Sequence, residues 1–374
     1  MTGTTTPAGS TGTAYRIVIT IAALMVIVAG LRAAQPILVP IALAAFLAVT
    51  SMPLLNGLRR LGMPTFLAIP MVLLLIIGLL AAIGYIATSS IIQIRDAVPA
   101  YVARFELIYR DAAVWLGAHG IILPGGPGEI VFSPARLMNL VTALLVSLAG
   151  FMTMAFLVAL ITLFLLFEAA GIPRKLRSLP GHADADLHRY TRIGAEVQRY
   201  LAIKTLTSLT TGILIGLWAL IIGLDFPLFW GLTAFLLNFI PTIGSLVAAI
   251  PAILLGLVQL GPGGAALTAA GYLAVNTAIG SLTEPAIMGR GLGLSPLVVL
   301  MSLLFWGWVW GPIGMLLSLP LTMVLKILLE HSHNLAWLAV LLGPATDDRG
   351  RHDDEMLAAP LRHRLHGRGG EGQG

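Results

Sequence analysis

Eight runs of apolar residues, at about 15–31, 36–55, 65–92, 137–167, 205–224, 226–260, 265–288 and 294–329, govern what this 374-residue chain can fold into. A helix needs about 20 apolar residues to cross a hydrocarbon core about 30 Å thick, and several runs reach that length. They are too numerous for a signal peptide plus one anchor. They are also continuous and rich in Leu, Ala and Ile, whereas a membrane β-barrel alternates over segments of about ten residues. The chain therefore reads as an all-α polytopic membrane protein with about eight membrane segments. A composition of 57% hydrophobic and 10% charged residues, with a mean hydropathy of +0.93, lies outside the range of soluble domains.

Charge orients the runs, because loops rich in Lys and Arg stay on the cytoplasmic side. Arg59 and Arg60 mark one such loop. The stronger mark is 171–204, where Arg174, Lys175, Arg177, Arg189, Arg192, Arg199 and Lys204 face three acids. With both loops inside, the N-terminus is inside, the first five spans alternate, and Asp225 falls outside. The net charge of +5 is thus explained by membrane orientation rather than by nucleic-acid binding, since the basic residues flank apolar spans. The absence of cysteine excludes disulfides, thiolate metal sites and a cysteine nucleophile.

Between the spans, residues 1–14 read as a disordered leader. The three runs within 15–92 form an N-terminal bundle. Segment 93–136 falls outside the membrane, and its Val98, Tyr101, Val102, Phe105, Ile108 and Tyr109 recur at the spacing of an amphipathic helix. Such a helix is expected to lie on or near the membrane surface, covering headgroups or a neighbouring subunit, or acting as a lid. "LPGGPGEI" at 123–130 ends it as a loop. Residues 137–342 form the remaining membrane region, and 343–374 a disordered cytoplasmic tail. The scattered His352, His363 and His366, and the i, i+2 pair in "HSH" at 331–333, give poor chelating geometry. No metal and no cofactor are assigned.

Runs 226–260 and 294–329 are too long for one crossing and carry helix breakers. Pro241, Gly244 and Pro251 interrupt the first, and Gly311, Pro312, Gly314 and Pro320 the second. In lipid, the backbone groups that such breaks release must find protein or water, so the breaks face inward. "IPTIGSLVAAIP" (240–251) and "GPIGMLLSLP" (311–320) also share a pattern of Pro, Ile-Gly, an apolar run and Pro. If each run is a hairpin, the first entering from outside and the second from inside, then 265–288 crosses inward. Arg290, Lys326 and the tail then lie in the cytoplasm. Paired broken or re-entrant segments of opposite orientation are a recurring way to build a transporter binding site near the bilayer midplane. The bland alternative is that both are tilted or kinked spans.

The stretches "RYLAIKTLTSLTTGILIGLWALIIGLDFPLFWG" (199–231), "FLLNFIPTIGSLVAAIPAILLGL" (235–257), "EPAIMGRGLGLSPLVVL" (284–300) and "FWGWVWGPIGMLLSLPLTMVLK" (305–326) occur in an order that resembles the autoinducer-2 exporter family of membrane proteins. The resemblance covers roughly 190–330, and the N-terminal spans match in layout more than in motif. It implies a transporter of about eight spans, some members exporting the furanone autoinducer-2 and others exchanging sodium or lithium for protons. It also implies a homo-oligomer, with a pentamer the expected form.

Within this frame Asn238, Pro241, Thr242, Gly244, Ser245, Asn276, Gly311, Pro312 and Gly314 are the candidate substrate-path residues. The polar ones are able to bind a polyol-like cargo or a dehydrated cation, or only to satisfy backbone groups freed at the breaks. Glu284 is the sole acid between Asp225 and Glu330 and the candidate for ion coupling. Its competing reading is an interfacial ion pair with Arg290. Glu168 and Lys204 read as interfacial charges or a cytoplasmic gate, and Trp306, Trp308 and Trp310 as an interfacial belt. The chain has no Walker loop, H-E-x-x-H or G-x-S-x-G motif, so no enzyme is expected. The reading is an inner-membrane transporter of small polar molecules with both termini cytoplasmic. Its alternatives are a sodium-proton antiporter and a non-transporting scaffold.

Overall fold

The computed structural model describes residues 10–120, 134–177, 183–241, 243–288, 294–330 and 336–343, and every regular element among them is a helix. The leader to residue 9, the loop 123–130, Thr242, Arg290 and the tail beyond 343 lie outside the described residues. Helices α1 (Ser10–Ala33) and α2 (Gln35–Arg60) meet at Ala34, with Pro36 in the first turn of α2, where its missing N–H costs nothing. Then follow α3 (Thr65–Ala118), α4 (Pro134–Arg177) and α5 (Ala183–Ile221). After α6 (Pro227–Leu237) come α7 (Gly244–Val275), a π-helical stretch (Asn276–Thr283), α8 (Glu284–Met288), α9 (Pro296–Glu330) and α10 (Ala336–Leu342). Among the described residues, six helical segments are long and apolar enough to cross a membrane, and Val18–Ala33 and α6 are shorter apolar helices.

Two of the long helices fold back on themselves. In α7 the reversal is at Gly261, whose φ of 78° suits glycine alone, followed by Pro262. Gly256 consequently packs on Gly264 and Thr268, although twelve residues of straight helix would separate 256 from 268 by about 18 Å. In α9 the reversal is at Gly311, with φ 67°, followed by Pro312. Ser302 Oγ donates to the Ser318 carbonyl at 3.0 Å and meets Thr322 Oγ1, and Trp306 Nε1 donates to the same Thr322 oxygen at 3.1 Å. These bonds fasten the two arms of α9 together. A third reversal lies between α6 and α7, because Asp225 before α6 donates its N–H to Gln259 Oε1 at 2.9 Å. The break at 238–243 is the tip of that fold.

Helix α3 differs from the expected division at residue 92. It is one helix of 54 residues, about 81 Å long at 1.5 Å per residue. The charges that begin at Arg95 do not interrupt it, because helical periodicity continues through Val98, Tyr101 and Val102. The apolar face of this extension meets α6 and α7: Val98 and Val102 are buried, and Tyr101 and Arg104 bond to residues at the base of the α6–α7 fold. The expected basic loop is also largely helical, since α5 begins at Ala183.

Packing fixes the rest. Helices α2, α3 and α4 share a core around Leu55, Ala68, Ile69, Val72 and Leu166. Where α5 crosses α6, Gly212, Gly216 and Gly231 let the backbones touch, in the small-xxx-small manner of membrane helices. Tyr200 and Leu201 of α5 pack with Leu294, Leu319 and Met323. Trp306 and Trp310 are buried in a cluster with Val39, and Trp310 Nε1 bonds the Leu31 carbonyl. Only Trp308 of the expected tryptophan belt is exposed, with Arg32 stacked 4.9 Å from its ring centre.

Candidate functional site

A cavity of about 370 Å³ opens where the α6–α7 break, α5 and the π stretch converge. Helix α5 contributes Tyr200 and Lys204 to its wall; Ser208, one turn further along the same face, is fully buried behind it. The break contributes Asn238, Ile240, Pro241 and Ser245. The π stretch, a rare conformation frequently found at functional sites, contributes Asn276, Gly280 and Ser281 and leads into Glu284. Leu319, from the second arm of α9, closes the wall.

The local sequence explains the geometry. Pro241 cannot continue the hydrogen-bond ladder of α6, so the helix stops at Leu237 and restarts at Gly244. The two ends lie so close that a Cβ at 244 would overlap the Leu237 carbonyl. The Leu237 carbonyl released at the end of α6 accepts from the Ile240 N–H at 2.9 Å, and the break is tied to α5 by Asn238 Nδ2, which donates to Ser208 Oγ at 3.0 Å with both side chains buried. Phe239 stacks edge-on against Phe46 of α2, 5.8 Å between ring centres, which holds the tip at about mid-length of α2.

At the other end of the cavity Lys204 Nζ donates to both oxygens of Glu284, at 2.7 and 3.0 Å. Their side chains are only 7% and 15% exposed, so the pair is screened little by solvent. Thr207 Oγ1 lies 3.5 Å from the second carboxylate oxygen. Among the described residues of the wall, Lys204 and Glu284 are the charged ones, and they cancel. What remains for a solute is a set of neutral donors and acceptors from Tyr200, Asn238, Ser245, Asn276 and Ser281.

Of the residues expected from the sequence, Asn238, Pro241, Ser245, Asn276, Glu284 and Lys204 meet in this one cavity. Gly244 shapes its break without lining it. Glu284 pairs with Lys204, eighty positions away; Arg290, the partner also expected for it, lies outside the described residues. Gly311, Pro312 and Gly314 do not join the site. The tip of α9 sits beside Leu31 and Val39, whereas the α6–α7 tip meets Phe46. Along α2 these levels differ by seven residues, about 10 Å. Glu168 is exposed on α4 and is not part of the wall. Sequence reasoning missed Tyr200, Ser208 and Ser281. The signal for the first two was a polar stripe at 200, 204 and 208 in α5, at helical spacing.

The chain is similar to known proteins over most of its length. A family model described as AI-2E family transporter matches residues 17–334. The AI-2 transport protein TqsA of Escherichia coli K12 is 38% identical over 329 residues, 87% of this chain and 95% of that protein. Two proteins named "Putative transport protein" are similar over 89% of this chain. That of Haemophilus influenzae is 35% identical with 97% of its length covered, and YhhT of E. coli K12 is 36% identical with 95% covered. The chain belongs to the AI-2E transporter family, a family of multi-span membrane transport proteins.

Proposed function

From that membership, we propose that the chain moves small polar molecules across the cell's inner membrane and binds them in the cavity beside Lys204 and Glu284. The observation that carries this reading is the internally neutralised ion pair at the broken helix: a wall whose described residues carry no net charge and several neutral hydrogen-bonding groups suits a neutral, hydroxyl-rich solute. The autoinducer-2 furanone is the first cargo to test, given what the E. coli relative is named for. Without a nucleotide-binding motif, transport runs as export on an ion gradient or down the cargo's own gradient. In this reading the folds at 226–260 and 294–329 are re-entrant hairpins of opposite orientation, both termini are cytoplasmic, and the transporter works as a homo-oligomer, the pentamer being the form expected.

A second reading, sodium or lithium exchange for protons, draws on Glu284 as the one carboxylate among the described residues of the wall. A cation there has to displace the Lys204 ammonium from 2.7 Å. Purified protein in proteoliposomes, offered furanones and cations under imposed sodium, proton and cargo gradients, separates the two. Furanone flux that survives collapse of the sodium gradient supports the first. Cation flux with a steep pH dependence that Glu284→Gln abolishes supports the second. Absence of flux for every cargo sinks both and favours a scaffold.

A further inference from the structure

A second cavity, of about 260 Å³, lies between the α3 extension and the outer base of the α6–α7 fold. Ile94, Val98 and Val102 form one wall, and Trp230, Leu254 and Val258 the other. The chamber is hydrocarbon in character except where Tyr101 closes one end. At that end a compact polar cluster begins. The Tyr101 hydroxyl donates to Asp225 Oδ2 at 2.6 Å, and Arg104 Nη1 donates to the Gln259 carbonyl, next to Val258, at 3.2 Å. That bond uses one of the five N–H donors of Arg104, which is exposed. Asp225 is half-buried and retains a carboxylate oxygen that Tyr101 does not engage.

An apolar chamber with one cation and one anion at a single end has the polarity of an amphiphile turned inside out. We propose that it is a binding site for a zwitterionic phospholipid with a primary ammonium headgroup: one acyl chain enters between Val98 and Val258, the phosphate meets Arg104 and the ammonium meets Asp225. An anionic headgroup without an ammonium would leave Asp225 opposing it. A quaternary ammonium offers no N–H to the carboxylate. The site is separate from the cavity at Lys204, and it places a lipid against the helix that buttresses the α6–α7 fold.

The test uses the full-length protein in vesicles of phosphatidylethanolamine and phosphatidylglycerol doped with phospholipids that carry a photoreactive diazirine midway along one acyl chain. Adducts are mapped by peptide mass spectrometry. The ethanolamine probe is expected to label 94–102 and 251–258, and Val258→Phe, which fills the chamber, to reduce that labelling at least fivefold while adducts elsewhere stay constant. Arg104→Gln, at an exposed position, is expected to weaken occupancy about fivefold, the contribution of one basic contact to a phosphate surface. Choline and glycerol probes should label more weakly than ethanolamine. Equal labelling by all three headgroups, labelling unchanged by both substitutions, or chain-to-chain crosslinks in place of lipid adducts overturns the proposal.

Discussion

Lys204 and Glu284 illustrate how unevenly a buried ion pair acts on stability and on function. Removing one partner strands the other charge in a poorly solvated place, at a typical cost of about 3–5 kcal/mol, whereas removing both is often close to neutral. Lys204→Met and Glu284→Gln are each expected to lower the melting temperature markedly in detergent, and the double substitution to restore much of it. Flux in proteoliposomes should stay low in all three. A double variant that recovers both melting temperature and flux would reduce the pair to a structural tie. Gly244 tests the break. A methyl group there meets the Leu237 carbonyl, so Gly244→Ala is expected to destabilise by about 1–3 kcal/mol, as overpacking does. Gly263→Ala, where nothing lies within 4 Å, should be neutral or mildly stabilising.

At the level of elements, the fold-back of α9 makes the sharpest prediction. Ser302 and Thr322 touch across the arms, while a straight helix would hold them about 30 Å apart. Because the chain has no cysteine, a Ser302→Cys/Thr322→Cys variant should form an intramolecular disulfide under mild oxidation, seen as a mobility shift reversed by reductant. Failure to crosslink in folded protein would mean a straight α9. The breaks at Gly311-Pro312 and Pro241 were legible as Pro and Gly inside apolar runs, and "GPGG" at 261–264 separates two runs outright. But the same residue types also suit membrane helices, and Pro251 and Pro320, read as interruptions, lie inside continuous helix. The continuity of α3 past residue 92 was not legible. The first charges of an amphipathic stretch look the same whether a new helix begins or an old one goes on. Nor was the partner of Glu284: periodicity assigns a face to Lys204 and to Glu284 separately, but only the packing of α5 against α8 joins them. The tryptophans of α9 misled for a related reason, since Trp306 and Trp310 find indole N–H partners inside the protein and need no membrane interface.

Across the whole molecule, the proposed topology rests on the charge pattern together with the folded arms, and it places residues 225 and 290 on opposite sides of the bilayer. Single cysteines at 225 and 290, tested with an impermeant maleimide in intact cells and inverted vesicles, are expected to react from opposite faces. Reaction of both from the same face would overturn the proposed topology. The long α3 adds a mechanical consequence. One end is set in the core with α2 and α4 through Ile69, and about 44 Å further along Val98 bears on the α6–α7 fold. Pro70, beside Ile69, removes a rung of the hydrogen-bond ladder at the fulcrum, and a tilt of about 5° there sweeps the far end through about 4 Å, more than a hydrogen bond tolerates. Ile69→Ala, which slackens the fulcrum, should therefore speed the labelling of a cysteine placed at Val98, a position it never touches.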